Sequence, residues 1–354
     1  MQEKIRIKDI AERAGVSQGT VDRVIHNRPN VSKKALDKVQ KALKELNYQP
    51  NAFASALAHN RKYNFYCIMP KHSSEAYWGE IELGAINAAK LRQDFNIGLE
   101  FIYYNRLNSK SFIEAYTKCL NSNPNGVILV PTTLSETKKF TDELHKQSIP
   151  FILVDSYMPE IKPLSFYGQD SIQSGIFAAK ILMLLANKEK SIMLMKQTIG
   201  GEILSKQQKN REKGFRQYMS KHFPHINIKE LILPLDEDKK YYEQKIENFF
   251  CKNPDIHHGL SINSRAHIVG KYLLKTKRNN IQIMGYDMVQ KNVDCLKNGT
   301  ISFLIAQHAY QQGFSCVETL FRHIILKKTV QPVNYVSIEL IAKENMNFYH
   351  RTRI

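Results

Sequence analysis

Cysteine is scarce in this sequence, and long apolar runs are absent from it. Its 354 residues include five cysteines, none of them in a C-x-x-C pair: Cys67, Cys119, Cys251, Cys295 and Cys316. This odd number at wide spacing excludes a disulfide framework and a structural zinc site, and it is typical of a reducing cytoplasm. No stretch approaches the ~18 apolar residues of a membrane span, and the N-terminal MQEKIRIKD has no apolar signal core. The sequence therefore predicts a protein that is made and kept in the cytoplasm, with no membrane partner.

Motifs for cofactor chemistry are missing as well. The chain has no G-x-x-x-x-G-K-[ST], no G-x-G-x-x-G after a strand and no H-E-x-x-H. Gly200 and Gly201 form an isolated pair that fits a loop, and the adjacent His257 and His258 are typical of an exposed turn. We therefore expect no enzyme activity, no catalytic residue, no cofactor and no metal site.

Acidic residues are outnumbered by basic ones, at 33 Asp and Glu against 51 Lys and Arg. The formal net charge of +18 favours an anionic partner such as nucleic acid or an acidic membrane surface, although charge alone also fits a basic protein with neither partner. The first 62 residues hold 13 basic and 6 acidic side chains, a net charge of +7. Basic charge is thus enriched at the N-terminus without being confined there.

Two short amphipathic helices joined by a tight turn are predicted near the N-terminus. Residues 8–14, KDIAERA, lead into a G-V-S turn, and residues 16–27, VSQGTVDRVIHN, supply the second helix with Val21 and Val24 on its buried side. This is the helix-turn-helix arrangement that places a recognition helix in the DNA major groove. A third helix is predicted to begin at its N-cap, Ser32.

From residue 65 onward, short apolar runs alternate with longer helical stretches. Ten runs are predicted to be strands: residues 65–70, 99–104, 126–131, 151–155, 164–168, 191–196, 230–235, 259–263, 281–287 and 301–307. Continuous apolar strands separated by helices are typical of parallel sheets buried on both faces. Ten strands exceed one ordinary compact sheet, so we predict an α/β core of two parallel-sheet lobes behind a small all-α domain.

The N-terminal residues resemble the DNA-binding headpiece of the LacI/GalR family of bacterial transcription regulators. Within residues 5–58 the chain has, in order, the A-G-V-S turn, the T-V-x-R-V recognition helix, the V-S helix start, the L-N-Y-x-P-N join and the A-x-x-L hinge helix. The α/β remainder is similar to that family's core, which is like a type I periplasmic sugar-binding protein, and it carries the motifs KGF, GYD and IAQ. The resemblance therefore covers nearly the whole chain.

This resemblance implies a division into three parts: a headpiece at 1–50, a hinge helix and linker at 51–64, and a two-lobed effector-binding and dimerisation domain at 65–354. Within the last part, the implied N-lobe comprises about 65–168 and 306–330, and the C-lobe about 169–305 and 331–354.

By their place in the motif, Gln18, Gly19 and Arg23 fall where the family reads base edges, and Ser17 and Thr20 fall where it contacts phosphates. Glutamine pairs with adenine and arginine with guanine through two hydrogen bonds, while a hydroxyl group suits a phosphate oxygen. The resemblance thus implies a DNA-reading role for these five residues.

Two positions in the second helix depart from the family pattern, whereas three positions in the hinge segment match it. Gly19 offers no side chain for readout and Asp22 stands where serine is common, so we expect an unusual operator preference. Leu57 falls at the family's minor-groove wedge, with Asn51 and Ala54 at neighbouring contact positions. A helix this short is marginal in water, so we expect DNA or a partner to order it; the alternative is a helix that packs on the core.

The resemblance also implies a ligand cleft between the lobes, at the carboxyl ends of strands. Eight residues fall at its positions: Tyr77, Trp78, Thr132, Asp155, Arg211, Asn263, Asp287 and Gln307. Such a set suits a carbohydrate, because each hydroxyl can donate to a carboxylate and accept from arginine or an amide. The alternatives are a core role for the aromatic pair and helix capping for the aspartates. Lys196, Gln197 and Arg265 are secondary candidates.

Together these features predict a sequence-specific transcriptional regulator, in the form of a repressor, whose operator affinity is controlled by a sugar or sugar derivative. The expected partners are a pseudo-palindromic double-stranded operator and a second copy of the chain; a dimer is preferred because no leucine heptads follow the last strand. We expect it in the bacterial cytoplasm, associated with the nucleoid when bound to DNA. The alternatives are a sugar-binding or sugar-processing protein with an accessory DNA-binding module, a transporter's solute-binding protein, and an architectural DNA binder.

Overall fold

Residues 5–25, 28–46, 48, 61–203, 205–235 and 237–349 are described by the structure, which is a computed structural model. The chain divides into two compact units, Met1–Asn60 and Arg61–Ile354. The predicted hinge contacts Asn51, Ala54 and Leu57 lie outside the described residues, so their roles stay predictions.

The N-terminal unit contains three helices: α1 (Ile7–Ala14), α2 (Gln18–Ile25) and α3 (Lys33–Glu45). Gly15 ends α1 in the left-handed conformation (φ 62°), which glycine adopts without a Cβ penalty, so the chain turns into α2 within three residues. Ser32 caps α3 by accepting a hydrogen bond from the Ala35 N–H. The buried side chains of the three helices meet in one small core: Ile10, Ala11, Ala14, Val21, Val24, Val39 and Ala42.

Twelve strands are found in the described part of the second unit. They are β1 (Tyr63–Pro70), β2 (Ile97–Tyr104), β3 (Gly126–Leu129), β4 (Phe151–Val154), β5 (Ser165–Gly168), β6 (Ser191–Thr198), β7 (Asn227–Pro234), β8 (His258–Ser261), β9 (Gln282–Tyr286), β10 (Phe303–Ala306), β11 (Asn334–Tyr335) and β12 (Glu339–Ile341). The first ten confirm the ten predicted strands. The last two are too short for a periodic pattern to reveal.

Helices alternate with these strands along the chain. They are α4 (Tyr77–Leu91), α5 (Ser109–Asn121), α6 (Leu134–Lys146), α7 (Ser171–Leu185), α8 (Lys206–His222), α9 (Lys239–Lys252), α10 (His267–Thr276), α11 (Gln290–Lys297), α12 (Ala309–Leu320) and α13 (Met346–Tyr349). Within the described residues, no helix is long and apolar enough to cross a membrane.

The strands form two six-stranded sheets with equivalent orders, β2-β1-β3-β4-β5-β11 in lobe one and β7-β6-β8-β9-β10-β12 in lobe two. Every pairing is parallel except that of β10 with β12. In the first sheet, the middle strands β3 and β4 are buried along their whole length, as their apolar sequences require. This arrangement confirms the predicted two-lobed α/β core.

The chain passes between the lobes three times: after β5, after β10 and between β11 and β12. The third crossing corrects the predicted lobe boundary at residue 331. Asn334 and Tyr335 pair with Tyr167 and Gly168 of β5, so lobe one extends to Tyr335. A two-residue strand carries too little periodicity to place this crossing from the sequence.

A buried glutamine connects the three crossings. Gln169, in the first crossing, donates from its Nε2 to the carbonyl oxygens of Ala306 (3.1 Å) and Ser337 (2.9 Å), which belong to the second and third crossings. Its Oε1 accepts a hydrogen bond from the Ser174 hydroxyl at 2.8 Å. Because the side chain is 2% exposed, these bonds form away from water and hold the three segments side by side.

Two helix pairs, α4 with α12 and α7 with α8, cross at glycines. A Cβ on Gly313 of α12 would lie 1.9 Å from the Ile81 carbonyl oxygen, and a Cβ on Gly175 of α7 would lie 2.1 Å from the Arg211 carbonyl oxygen. Only glycine allows the backbones to approach so closely. The packing of α8 against α7 therefore determines where Arg211 lies relative to lobe two.

Candidate functional site

A cavity of about 360 Å³ lies in the second unit where the carboxyl ends of β1, β3, β4, β6 and β8 meet. Seven of the eight residues assigned to the cleft line it: Tyr77, Trp78, Thr132, Asp155, Arg211, Asn263 and Asp287. The eighth, Gln307, donates from Nε2 to Asp287 Oδ1 at 2.5 Å and so lies directly behind the lining. The structure therefore brings all eight side chains to one place between the lobes.

Asp155 and Asp287 occupy equivalent positions in the two lobes. Each follows a strand, β4 or β9, and each has a left-handed backbone, with φ of 74° and 72°. Each backbone N–H bonds the strand beside it, Asp155 to the Tyr167 carbonyl at 2.9 Å and Asp287 to the Ile305 carbonyl at 3.0 Å. Such a conformation is uncommon for residues with a side chain and is concentrated at binding sites. Here it directs one buried carboxylate from each lobe into the cleft.

Burial alters the acidity of both carboxyl groups. It raises the pKa of Asp287 to about 7, even though Arg211 and the hydrogen bond from Gln307 act in the opposite direction. Burial also raises the pKa of Asp155, again opposed by Arg211 and by hydrogen bonds from Tyr77 and Ser156. The two carboxylates thus depend on buried donors to remain charged.

Arg211, on α8, is the charged donor of the cleft and is 1% exposed. Its guanidinium carbon lies 3.7 Å from the ring centre of Tyr286, and its Nη1 donates to the Ile262 carbonyl at 3.2 Å. Its Nε and Nη2 groups meet no acceptor among the described residues. Since buried donors are normally paired, these two N–H groups on the cavity wall are suited to acceptors on a bound molecule.

Gln207 and Gln208, at the start of α8, form cleft contacts that the sequence prediction missed. Gln207 Nε2 donates to Asp155 Oδ1 at 2.8 Å and to Gln307 Oε1 at 2.7 Å. Gln208 Oε1 accepts from Asn263 Nδ2 at 2.9 Å, which orients this predicted cleft amide. The available signal was spacing, because residues three and four positions before Arg211 share its helix face.

The aromatic pair opens α4. The rings of Tyr77 and Trp78 meet edge to face, with centroids 5.0 Å apart. Tyr77 is 7% exposed, and its hydroxyl accepts a hydrogen bond from Gln312 Nε2 at 3.2 Å. Trp78, the single tryptophan of the chain, is half-buried on the cavity wall. The pair therefore combines core packing with an apolar surface on the cavity.

Of the remaining predicted candidates, two line the cavity and two do not. Thr132 lines the cavity and donates from its hydroxyl to Glu136 Oε2 at 3.2 Å. Gln197 also lines it, and its Nε2 has no partner among the described residues. Lys196 instead forms ion pairs of lobe two, including one with Glu230 at 2.7 Å, and Arg265 lies over the Tyr242 ring; neither lines the cavity.

In the N-terminal unit, four of the five predicted contact residues on α2 and at its N-cap are exposed: Ser17, Gln18, Gly19 and Arg23. The fifth, Thr20, is half-exposed, and its backbone N–H donates to Ser17 Oγ at 3.2 Å, as expected for a helix N-cap. Asp22, the unusual acidic residue, forms an ion pair with Arg28 at 3.1 Å. Its charge is thus partly compensated on the same face.

A helix-turn-helix unit followed by two parallel-sheet lobes around a polar cleft defines a class, the DNA-binding regulators built on a periplasmic-binding-protein core. The chain belongs to the lacI family of bacterial regulatory proteins. That family's model matches residues 6–51, and the model for the periplasmic binding protein domain matches residues 65–328. Both matches confirm the family that the sequence motifs indicated.

Similar curated proteins are regulators. The transcriptional regulator DegA of Bacillus subtilis (strain 168) is 28% identical over 218 residues, 61% of this chain and 61% of its own length, so that alignment covers less than two thirds of either protein. The ribose operon repressor of Lactococcus lactis subsp. lactis (strain IL1403) is 23% identical over 350 residues, 96% of this chain and 98% of its own. This second alignment extends through both units.

Solved structures show the same core. A structure assigned to a LacI transcriptional regulator from Bacteroides fragilis is 41% identical, with a TM-score of 0.80 over 82% of this chain and 100% of its own. A glucose-galactose binding protein from Geobacillus stearothermophilus, at 22% identity, shares the fold with a TM-score of 0.70 over 81% of this chain and 99% of its own. The family's regulators are not enzymes, which confirms that prediction.

Proposed function

We propose that this protein is a sequence-specific transcriptional repressor whose affinity for operator DNA is controlled by a small carbohydrate bound between its lobes. One observation carries the effector assignment: the buried guanidinium of Arg211 has two N–H groups without an acceptor among the described residues, and it lines the same cavity as carboxylates from both lobes, Asp155 and Asp287. This pattern supplies hydrogen-bond donors and acceptors on the wall of one cavity, which matches the neighbouring hydroxyl groups of a sugar.

The rest of the cavity wall supports the same ligand class. Trp78 offers an aromatic face for the apolar side of a sugar ring, and the amides of Asn263 and Gln197 offer further hydrogen bonds. Relatives include a ribose operon repressor and a sucrose operon repressor, and solute-binding proteins of the same fold have been solved with D-arabinose and D-allose. We therefore assign the eight cleft residues to effector binding.

For DNA binding, we assign base contacts to Gln18, Gly19 and Arg23 and phosphate contacts to Ser17 and Thr20. The exposure of these positions on α2 supports the assignment. We also propose the hinge contacts Asn51, Ala54 and Leu57 named from the sequence. In this proposal the protein acts as a homodimer on a pseudo-palindromic operator, resides in the cytoplasm and is associated with the nucleoid when bound to DNA.

The first test is effector binding. Trp78 is the single tryptophan and lines the cavity, so its fluorescence reports on a ligand bound there. Full-length protein is titrated with D-ribose, D-arabinose, D-allose, D-glucose, D-galactose and sucrose while Trp78 fluorescence and the melting temperature are recorded. We expect one sugar to change the fluorescence and raise the melting temperature, since a ligand that binds only the folded state stabilises it. Arg211→Met and Asp287→Asn should each weaken that response at least tenfold, whereas Lys196→Met should not.

The DNA half of the proposal is tested separately. Double-stranded sites selected by the protein from random DNA should be pseudo-palindromic, and Arg23→Ala should reduce their binding at least tenfold while leaving the Trp78 response intact. The sugar that acts on Trp78 should change the Kd for a selected site. A sugar response that survives in both Arg211→Met and Asp287→Asn, or an operator Kd that no responding sugar changes, would contradict the proposed function.

A further inference from the structure

Gln207 joins the two lobes across the floor of the cleft. It is the second residue of α8 in lobe two, it is 8% exposed, and its Nε2 donates to Asp155 Oδ1 of lobe one at 2.8 Å. The same nitrogen donates to Gln307 Oε1, at the second crossing, at 2.7 Å. A hydrogen bond from an amide to a carboxylate is stronger than one between neutral groups, and burial strengthens it further.

The connection continues on both sides of Gln207. On the side of lobe two, Gln307 Nε2 donates a hydrogen bond to Asp287 Oδ1 at 2.5 Å. Gln307 also accepts, at its carbonyl oxygen, a hydrogen bond of 2.7 Å from Gln312 Nε2, which donates in addition to the Tyr77 hydroxyl of lobe one. The carboxylate of each lobe is thereby linked to the other through amide side chains.

A second contact between the lobes lies close by, at the preceding residue. Lys206 Nζ and Glu160 Oε1 are 3.6 Å apart, with a third of the lysine side chain and half of the glutamate side chain exposed. Exposed ion pairs at such distances are screened by water and contribute little. Of the two contacts at the start of α8, the buried bond of Gln207 is the one that favours closed lobes.

We propose that Gln207 is an interlobe latch: its carboxamide holds Asp155 across the closed cleft and occupies the acceptor that an effector hydroxyl would use. Removal of this amide therefore shifts the lobes toward the open state. Gln207 is a positioning residue, which sets how readily the cleft opens before any ligand is present. The role of the effector in this statement rests on the proposed function, but the latch itself does not.

The test uses Trp78 as a reporter of opening, without ligand. Full-length Gln207→Glu and Gln207→Ala are compared with the matched variants Gln217→Glu and Gln217→Ala, which change an exposed glutamine of the same helix. Quenching of Trp78 by acrylamide at pH 8 should increase at least twofold in Gln207→Glu, because a second carboxylate then faces Asp155. It should increase less in Gln207→Ala and remain at the parent's value in both Gln217 variants.

Hydrogen exchange supplies the second measurement. Amides at Asp155 and Asp287, which bond neighbouring strands beneath the cleft, should exchange faster in both Gln207 variants, while circular dichroism shows an intact fold. If Gln207→Glu does not fold, Trp78 quenching and hydrogen exchange in Gln207→Ala test the latch instead. Parent-like quenching and exchange in the folded Gln207 variants would overturn the latch. Failure of every sugar to act would contradict only the proposed function, since neither measurement contains a sugar.

Discussion

At the scale of single residues, the cleft is defined by two aspartates that share a backbone conformation. Asp155 and Asp287 both adopt φ near +70° at the end of a strand, and burial raises the pKa of both. A carboxyl group whose pKa is raised on folding keeps its proton in the folded state at a pH where the unfolded chain has already lost it. Its contribution to stability is therefore fully present at low pH and is lost as pH rises.

For Asp287, this dependence of stability on pH falls in a range that can be measured. Its pKa rises from 3.8 to about 7 on folding, so the contribution of Asp287 to the stability of the second unit should decrease as pH increases from about 4 to about 7 and then level off. Burial lowers the pKa of His267 to about 4, and this second effect acts in the opposite direction over the same pH range. Asp287→Asn should remove this contribution, so its free energy of unfolding should exceed the parent's by more at pH 8 than at pH 5, by roughly 1–4 kcal/mol at pH 8, because one pKa unit corresponds to about 1.4 kcal/mol. Urea unfolding of full-length protein at pH 5 and pH 8 measures both quantities.

The control for that measurement is Asp255→Asn, which changes an exposed aspartate outside the cleft. It should retain the parent's dependence of stability on pH. An Asp287→Asn variant with the parent's slope would show that this carboxyl group does not titrate as its burial implies.

At the scale of elements, the position of Arg211 depends on how closely α8 approaches α7. A Cβ at Gly175 would meet the Arg211 carbonyl oxygen at 2.1 Å, so Gly175→Ala has to separate the two helices. We expect a loss of about 3 kcal/mol in the free energy of unfolding, as for other overpacked sites. The effector response of Trp78 should weaken with it, because Arg211 moves with α8.

Gly98→Ala is the matched control. A Cβ there has its nearest neighbour, the Asn64 side-chain oxygen, at 3.4 Å, so the stability should change by less than about 1 kcal/mol. Chemical unfolding of both variants decides the comparison. Equal stability of the two variants would mean that α7 and α8 can separate freely.

The sequence allowed much of this architecture to be predicted, for identifiable reasons. Buried parallel strands such as β3 and β4 are continuous apolar runs, and Asp155 and Asp287 directly follow such runs. The contact of Gln207 with Asp155 was out of reach, because helix spacing does not show what the opposite lobe presents. The two-residue strand β11 was missed for lack of periodicity, which displaced the predicted third crossing.

At the scale of the whole molecule, the proposed function requires reciprocity between the effector and the operator. If a sugar changes the Kd for operator DNA by some factor, the operator must change the Kd for that sugar by the same factor. We expect a factor of about 5–150, the range of typical coupling free energies. Fluorescence titrations of Trp78 with and without a selected DNA site, and the converse DNA titrations, provide the two numbers. Unequal factors would show that a titration had not reached equilibrium, and a factor of one in both would contradict the proposed coupling.

The three crossings held together by Gln169 determine what kind of motion the lobes can make. We expect three connecting segments that lie side by side to bend together about one axis and to resist twisting and sliding. The hydrogen bonds from the Gln169 side chain to Ala306 and Ser337 connect the three segments to one another. We therefore expect the two lobes to open and close mainly by rotation about that one axis. On the proposed function, ligands of different shape would then all act on the operator through one variable, the opening angle of the cleft.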